Sequence, residues 1–103
     1  MKIIAKIVDF IDDELEGAEN YAKSAIEYKS DHPKLAAKMN ELAQVEMGHV
    51  KQLHSEVVRL IEDYRSSKGE PPKEMLAVYD YEHKKQITRA AIIRQMITEY
   101  ENS

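Results

Sequence analysis

Apolar side chains recur at intervals of three and four along nearly the whole chain, the period of a helix with one buried face. The first line runs Ile4, Ile7, Ile11, Glu14, Ala18, Tyr21, Ala25, Tyr28 and stops at Lys29-Ser30-Asp31-His32-Pro33. Proline is tolerated in a first helical turn, and Ser30, Asp31 or His32 can cap the helix that follows. A second line runs Leu35, Met39, Leu42, Glu46, His49, Leu53, Val57, Leu60, Tyr64. It ends at Ser66-Ser67-Lys68-Gly69-Glu70-Pro71-Pro72, with glycine near the C-cap and prolines beyond it. The third carries Leu76, Tyr79, His83, Ile87, Ala90, Ile97 and Tyr100. The spacing predicts helices over about 3–29, 33–66 and 73–100 of an all-α chain, with residues 1–103 forming a single domain.

Segments of this length span roughly 40–50 Å at about 1.5 Å per residue, so three of them enclose only a thin core. Short connections make neighbouring helices antiparallel. The expected architecture is a long helical hairpin plus a third helix, completed to a four-helix bundle by homodimerisation. A chain of 103 residues buries only about 65 % of its unfolded surface, which makes self-association favourable.

Composition narrows the chemistry. The chain has no cysteine, which excludes disulfides, thiolate metal sites, thiol catalysis and rubredoxin-type iron centres. The apolar N-terminal run is interrupted by Lys2, Lys6 and Asp9. It is too short to span a membrane and lacks a signal-peptide cleavage site, so a cytoplasmic protein without membrane contact is expected. A net charge of −4 argues against nucleic-acid binding and suits the attraction of small cations.

Three polar residues interrupt the apolar lines: Glu14 on the first, Glu46 and His49 on the second. Unpaired carboxylates are costly to bury, and a divalent cation would compensate several at once. If the hairpin turns near Asp31, antiparallel partners have numbers summing to about 62, because both helices rise equally. Glu14 then lies level with the Glu46-Met47-Gly48-His49 turn. A Glu-x-x-His on a helix places both side chains on one face, a turn apart. The alternative is structural: Glu46 and His49 pair with each other, and Glu14 reaches to water. Di-iron carboxylate bundles use one Glu from each of two helices and a Glu-x-x-His from each of two others. This chain holds half that set, so the metal reading requires two copies around a two-fold axis.

The segment Glu14-Leu15-Glu16-Gly17-Ala18-Glu19-Asn20-Tyr21 resembles the first ligand helix of the ferritin-like superfamily, in which the ligand Glu precedes a Tyr by seven residues. The helix through Glu46-Met47-Gly48-His49 resembles the Glu-x-x-His helix of ferritins, bacterioferritins and rubrerythrins. The nearest likeness is to encapsulated ferritins, whose short chains build an iron site by dimerising. It covers residues 5 to 62 or so and implies ferroxidase chemistry, the oxidation of Fe(II) by oxygen or peroxide. In that reading Glu14 and His49 are terminal ligands and Glu46 bridges two irons per dimer, with manganese the other suited metal. Val45 stands where the family often has a second acid, residues 73–100 have no counterpart, and the C-terminus does not resemble a capsid-loading peptide. These departures argue against encapsulation in a shell. Val45 and the unmatched third helix also support the alternative of a non-catalytic helical assembly or adaptor protein that has lost the metal.

The remaining polar residues are read as ancillary. Tyr21 is a hydrogen-bonding neighbour of the metals or a core tyrosine, and Gly17 and Gly48 allow close helix approach or room for oxygen. Asp80-Tyr81-Glu82-His83 offers a further ligand pair, but the same register arithmetic sets His83 level with Glu56, away from the metal plane. His83 is therefore expected to make a polar contact with Glu56. His32 and His54 are expected at the surface, and Asp12, Asp13, Glu16 and Glu19 on a solvated face that could attract Fe(II).

Overall fold

The computed structural model describes all of residues 1–103 as three helices and no strand: α1 over Lys2–Tyr28, α2 over Pro33–Lys68 and α3 over Lys73–Asn102. The three expected segments agree with these bounds to within two residues. The helices run up, down and up in a rod of 56 × 19 × 18 Å. α1 is the middle element: it packs chiefly against α2, next against α3, while α2 and α3 meet each other little.

Helical period explains this arrangement. On α1, Ile4, Val8, Ile11, Leu15, Ala18, Ala22 and Ala25 are buried, a stripe of threes and fours wide enough to meet two partners. Near the first turn the facing residues are small, Ala18, Ala22 and Ala25 on α1 with Ala36 and Ala43 on α2. Small side chains let the two backbones approach. Farther from the turn the stripe is filled by larger groups, and Ile11, Leu15, Val57 and Ile93 are the largest fully buried side chains. α3 is held by Ala90 and Ile93, and by the buried Gln86 amide. That amide donates to the Val8 carbonyl at 3.1 Å and to Asp12 Oδ1 at 3.0 Å.

Both turns follow backbone chemistry. Pro33 occupies the first turn of α2 and His32 is its N-cap, without a side-chain capping bond; neither Ser30 nor Asp31 supplies one. Lys29, at the end of α1, donates to the Tyr100 and Ser103 carbonyls and lies 4.6 Å from the Tyr100 ring centroid. A cation there offsets the negative end of the α3 dipole and fixes α3 parallel to α1. At the second turn Gly69 has φ 86° and ψ −163°, a region essentially closed to residues with a Cβ. Its N–H donates to the Arg65 carbonyl at 3.1 Å. Gly69→Ala is expected to destabilise the protein by about 1–3 kcal/mol, measured as a lower denaturant midpoint at unchanged m-value.

Only 16 of 103 residues are buried, and nine large apolar side chains stay exposed. Two of them, Ile3 and Phe10, lie on the line that continues through Glu14, Gly17 and Tyr21. α3 approaches α1 from the opposite side, through Val8, Asp12 and Glu19.

Candidate metal centre

Glu14 stands midway along α1, and Glu46 and His49 stand one turn apart on α2. The hairpin turn occupies residues 29–32, so equal rise on the two helices brings all three to one height. Each contributes a donor atom to a group in which all donors lie within 4.8 Å of one another. His49 Nδ1 is 3.2 Å from Glu14 Oε2. The pairing across the hairpin is thus between Glu14 and His49, where the structural alternative expected Glu46 with His49.

Glu46 has no hydrogen-bond or ion-pair partner in the protein, although its carboxylate is within the group. It lies against Gly17 of α1: a Cβ there would sit 3.6 Å from Glu46 Oε2, an ordinary van der Waals contact, so the approach of the Glu46 carboxylate to α1 does not require glycine. A Cβ on Gly48 would meet nothing within 4 Å, so that glycine serves no close helix approach either.

The group is more open than its place on the apolar lines suggests. The Glu14 side chain is 28 % exposed and that of His49 45 %, and beside them is a shallow depression lined by Gln52, Leu53 and Glu56. The reason is the placement of α3, which covers the other side of α1. In a single chain nothing covers the face that carries Glu14, Glu46 and His49.

Two carboxylates and an imidazole suit iron, manganese or zinc by donor type. Donors sharing one such ion at about 2.1 Å are at most about 4.2 Å apart. Three donors from one chain leave coordination positions open.

Other residues fall differently from expectation. His83 makes no hydrogen bond or ion pair with Glu56, which instead pairs with Arg59 at 2.7 Å. His83 stacks on His54 with centroids 4.4 Å apart and on Tyr79 at 5.5 Å. α3 is rotated so that His83 faces α2, and His54 is accordingly half-buried rather than on the open surface. Burial, and then the neighbouring His83, hold His54 below the ordinary imidazole range. Burial, with Asp80 nearby, pushes the Tyr79 phenol up. Tyr21 packs against the core, and its hydroxyl makes no hydrogen bond to the protein. Of the acidic run on α1, Asp13 and Glu16 are solvated. Asp12 is engaged by Gln86, and Glu19 by Lys23 and Arg89.

An unpartnered carboxylate held for a ligand and one holding the fold respond oppositely to removal. Glu46→Leu, close in volume, is expected to leave metal-free stability unchanged or to raise it by about 1–3 kcal/mol, as when unpaired polar groups give way to packed apolar ones. Chemical denaturation of metal-stripped proteins at equal concentration measures this. A loss above about 2 kcal/mol would mean that Glu46 supports a structural contact.

The chain matches no protein-family model, and comparison with curated proteins and with solved structures finds none similar.

Proposed function

We propose that two copies of this chain associate through the α1–α2 face and form a di-iron centre that oxidises Fe(II). The observation that carries the reading is the convergence of Glu14, Glu46 and His49 within 4.8 Å, with the Glu46 carboxylate otherwise unpartnered. Three further features support it. Each chain offers half of the four-Glu, two-His set of di-iron bundles. The first two helices resemble the ligand helices of ferritin-like proteins. Exposed Ile3 and Phe10 precede Glu14 on the same face of α1, which α3 leaves uncovered.

In this dimer α1 and α2 of each copy make the four-helix bundle and α3 lies outside it. Two-fold symmetry sets the two Glu-x-x-His turns against each other, so that four carboxylates and two imidazoles enclose a pair of metal ions. Iron held there supplies one-electron redox chemistry at each metal. Two Fe(II) would supply one electron each, enough with two protons to take oxygen to hydrogen peroxide, or hydrogen peroxide to two waters. The protein residues hold and orient the irons. Glu14 and His49 of each chain would serve as terminal ligands and Glu46 as the shared carboxylate. The four carboxylates would balance the charge of two Fe(II) ions, which favours loading of the site with the ferrous form.

Anaerobic Fe(II) titration followed by a pulse of oxygen tests the proposal. One Fe(II) per chain and rapid oxidation are expected. Protein that takes up no iron or manganese would leave the second reading, a non-catalytic helical assembly protein.

A further inference from the structure

α2 and α3 both lie on α1 yet meet each other little, and a groove of about 500 Å³ opens between them. It is on the opposite side of α2 from His49 and does not depend on the metal centre. Its apolar lining is made by the buried Ile11 and Ala90, with Met47, Val50 and the half-exposed Ile87. Its polar rim is entirely basic or neutral: no carboxylate lines it, in a chain with 19 acidic residues and 15 lysines and arginines.

The cations at this groove are also unpaired. Arg59, Arg65 and Arg89 each meet a carboxylate, whereas Arg94 and Lys51, both lining the groove, meet none. From His83, which with His54 closes one end, to Arg94 at the other, the groove follows α3 for about 16 Å, at about 1.5 Å per residue. Gly48 forms part of the wall. Glycine weakens a helix interior relative to alanine, and no protein atom lies within 4 Å of a Cβ placed there. The glycine thus lines the groove without serving any close helix contact.

We propose that this groove binds a linear carboxylate with an apolar chain, of the fatty-acid class and about ten carbons long. The hydrocarbon lies along Ile11, Met47, Val50 and Ile87. The carboxylate is taken by the Arg94 guanidinium, whose planar donors match its two oxygens, and Lys51 adds to the favourable field. Charge complementarity selects an anion over a neutral amphiphile, and the apolar lining selects a hydrocarbon chain over a small inorganic anion.

The test is calorimetric titration of the full chain with decanoate below its micelle concentration, beside decan-1-ol and inorganic phosphate. One decanoate per chain is expected, with decanol at least about tenfold weaker and phosphate silent. Arg94→Gln is expected to cost decanoate about tenfold and to leave decanol unaffected. Gly48→Leu, which fills the groove, is expected to abolish both while circular dichroism shows the helices retained. Amide chemical shifts of the wild type provide a check free of any variant. Decanoate is expected to move Met47, Gly48, Ile87 and Ala90 and to leave Phe10 and Glu14 in place. Equal affinity for decanol, phosphate binding as tight as decanoate, unsaturable uptake, or shifts centred on Phe10 would each overturn the proposal.

Discussion

Glu46→Ala, His49→Ala and Glu14→Ala should each lower Fe(II) affinity by at least about 100-fold and abolish rapid oxidation. Groups one step removed from a metal already account for 10–100-fold, and these three are the donors themselves. The removal counts twice in a symmetric dimer, because each substitution takes one ligand from each half of the site. Glu82→Ala and His83→Ala serve as controls. His83 stacks on His54 and Tyr79 on the far side of α1 from Glu14, and Glu82 pairs with Lys85 at 3.7 Å. Both variants should oxidise iron at nearly the wild-type rate. If His83→Ala kept its helical spectrum and lost oxidation, the metal would have to be held within one chain, and the dimeric site would be wrong.

The second large effect is on association. Phe10 is 45 % exposed one turn from Glu14, on the face that the second copy would cover. Phe10→Asp should raise the dimer dissociation constant at least tenfold, about 1.4 kcal/mol, because it removes an apolar contact and sets a charge where desolvation disfavours it. Iron oxidation should fall with it, although no ligand has been touched. The converse linkage holds for the wild type. A metal that binds only the dimer stabilises it by about 2.7 kcal/mol at a hundredfold excess over its dissociation constant. Sedimentation velocity with and without Mn(II), which fills the site without turnover, measures both effects. A wild-type chain that stays monomeric at high concentration in either condition would remove the basis for the bundle. Phe10→Asp that still dimerises and oxidises iron normally would place the interface elsewhere.

The helices and the shared height of three polar residues were legible in the amino-acid order. Helical period determines which side chains share a face, and Pro33 and Gly69-Glu70-Pro71-Pro72 determine where helices start and stop. Equal rise on two antiparallel helices then ties Glu14 to the Glu46–His49 turn. All three inferences depend on spacing along the backbone, which the residues themselves encode. The rotation of α3 about α1 belongs to a different class of information. It is decided by long-range contacts such as Gln86 with the Val8 carbonyl and Lys29 with the end of α3, whose partners lie more than 70 residues apart. Periodicity does not distinguish the two sides of α1's broad apolar stripe, so it could not say that α3 would leave the Glu14 face open. For the same reason the order of residues did not foretell the His54–His83 stack or the basic groove beside it. The chain by itself determined which residues could meet at one height. The tertiary packing of α3 decided that the Glu14, Glu46 and His49 group stays exposed on one side and that a groove opens on the other.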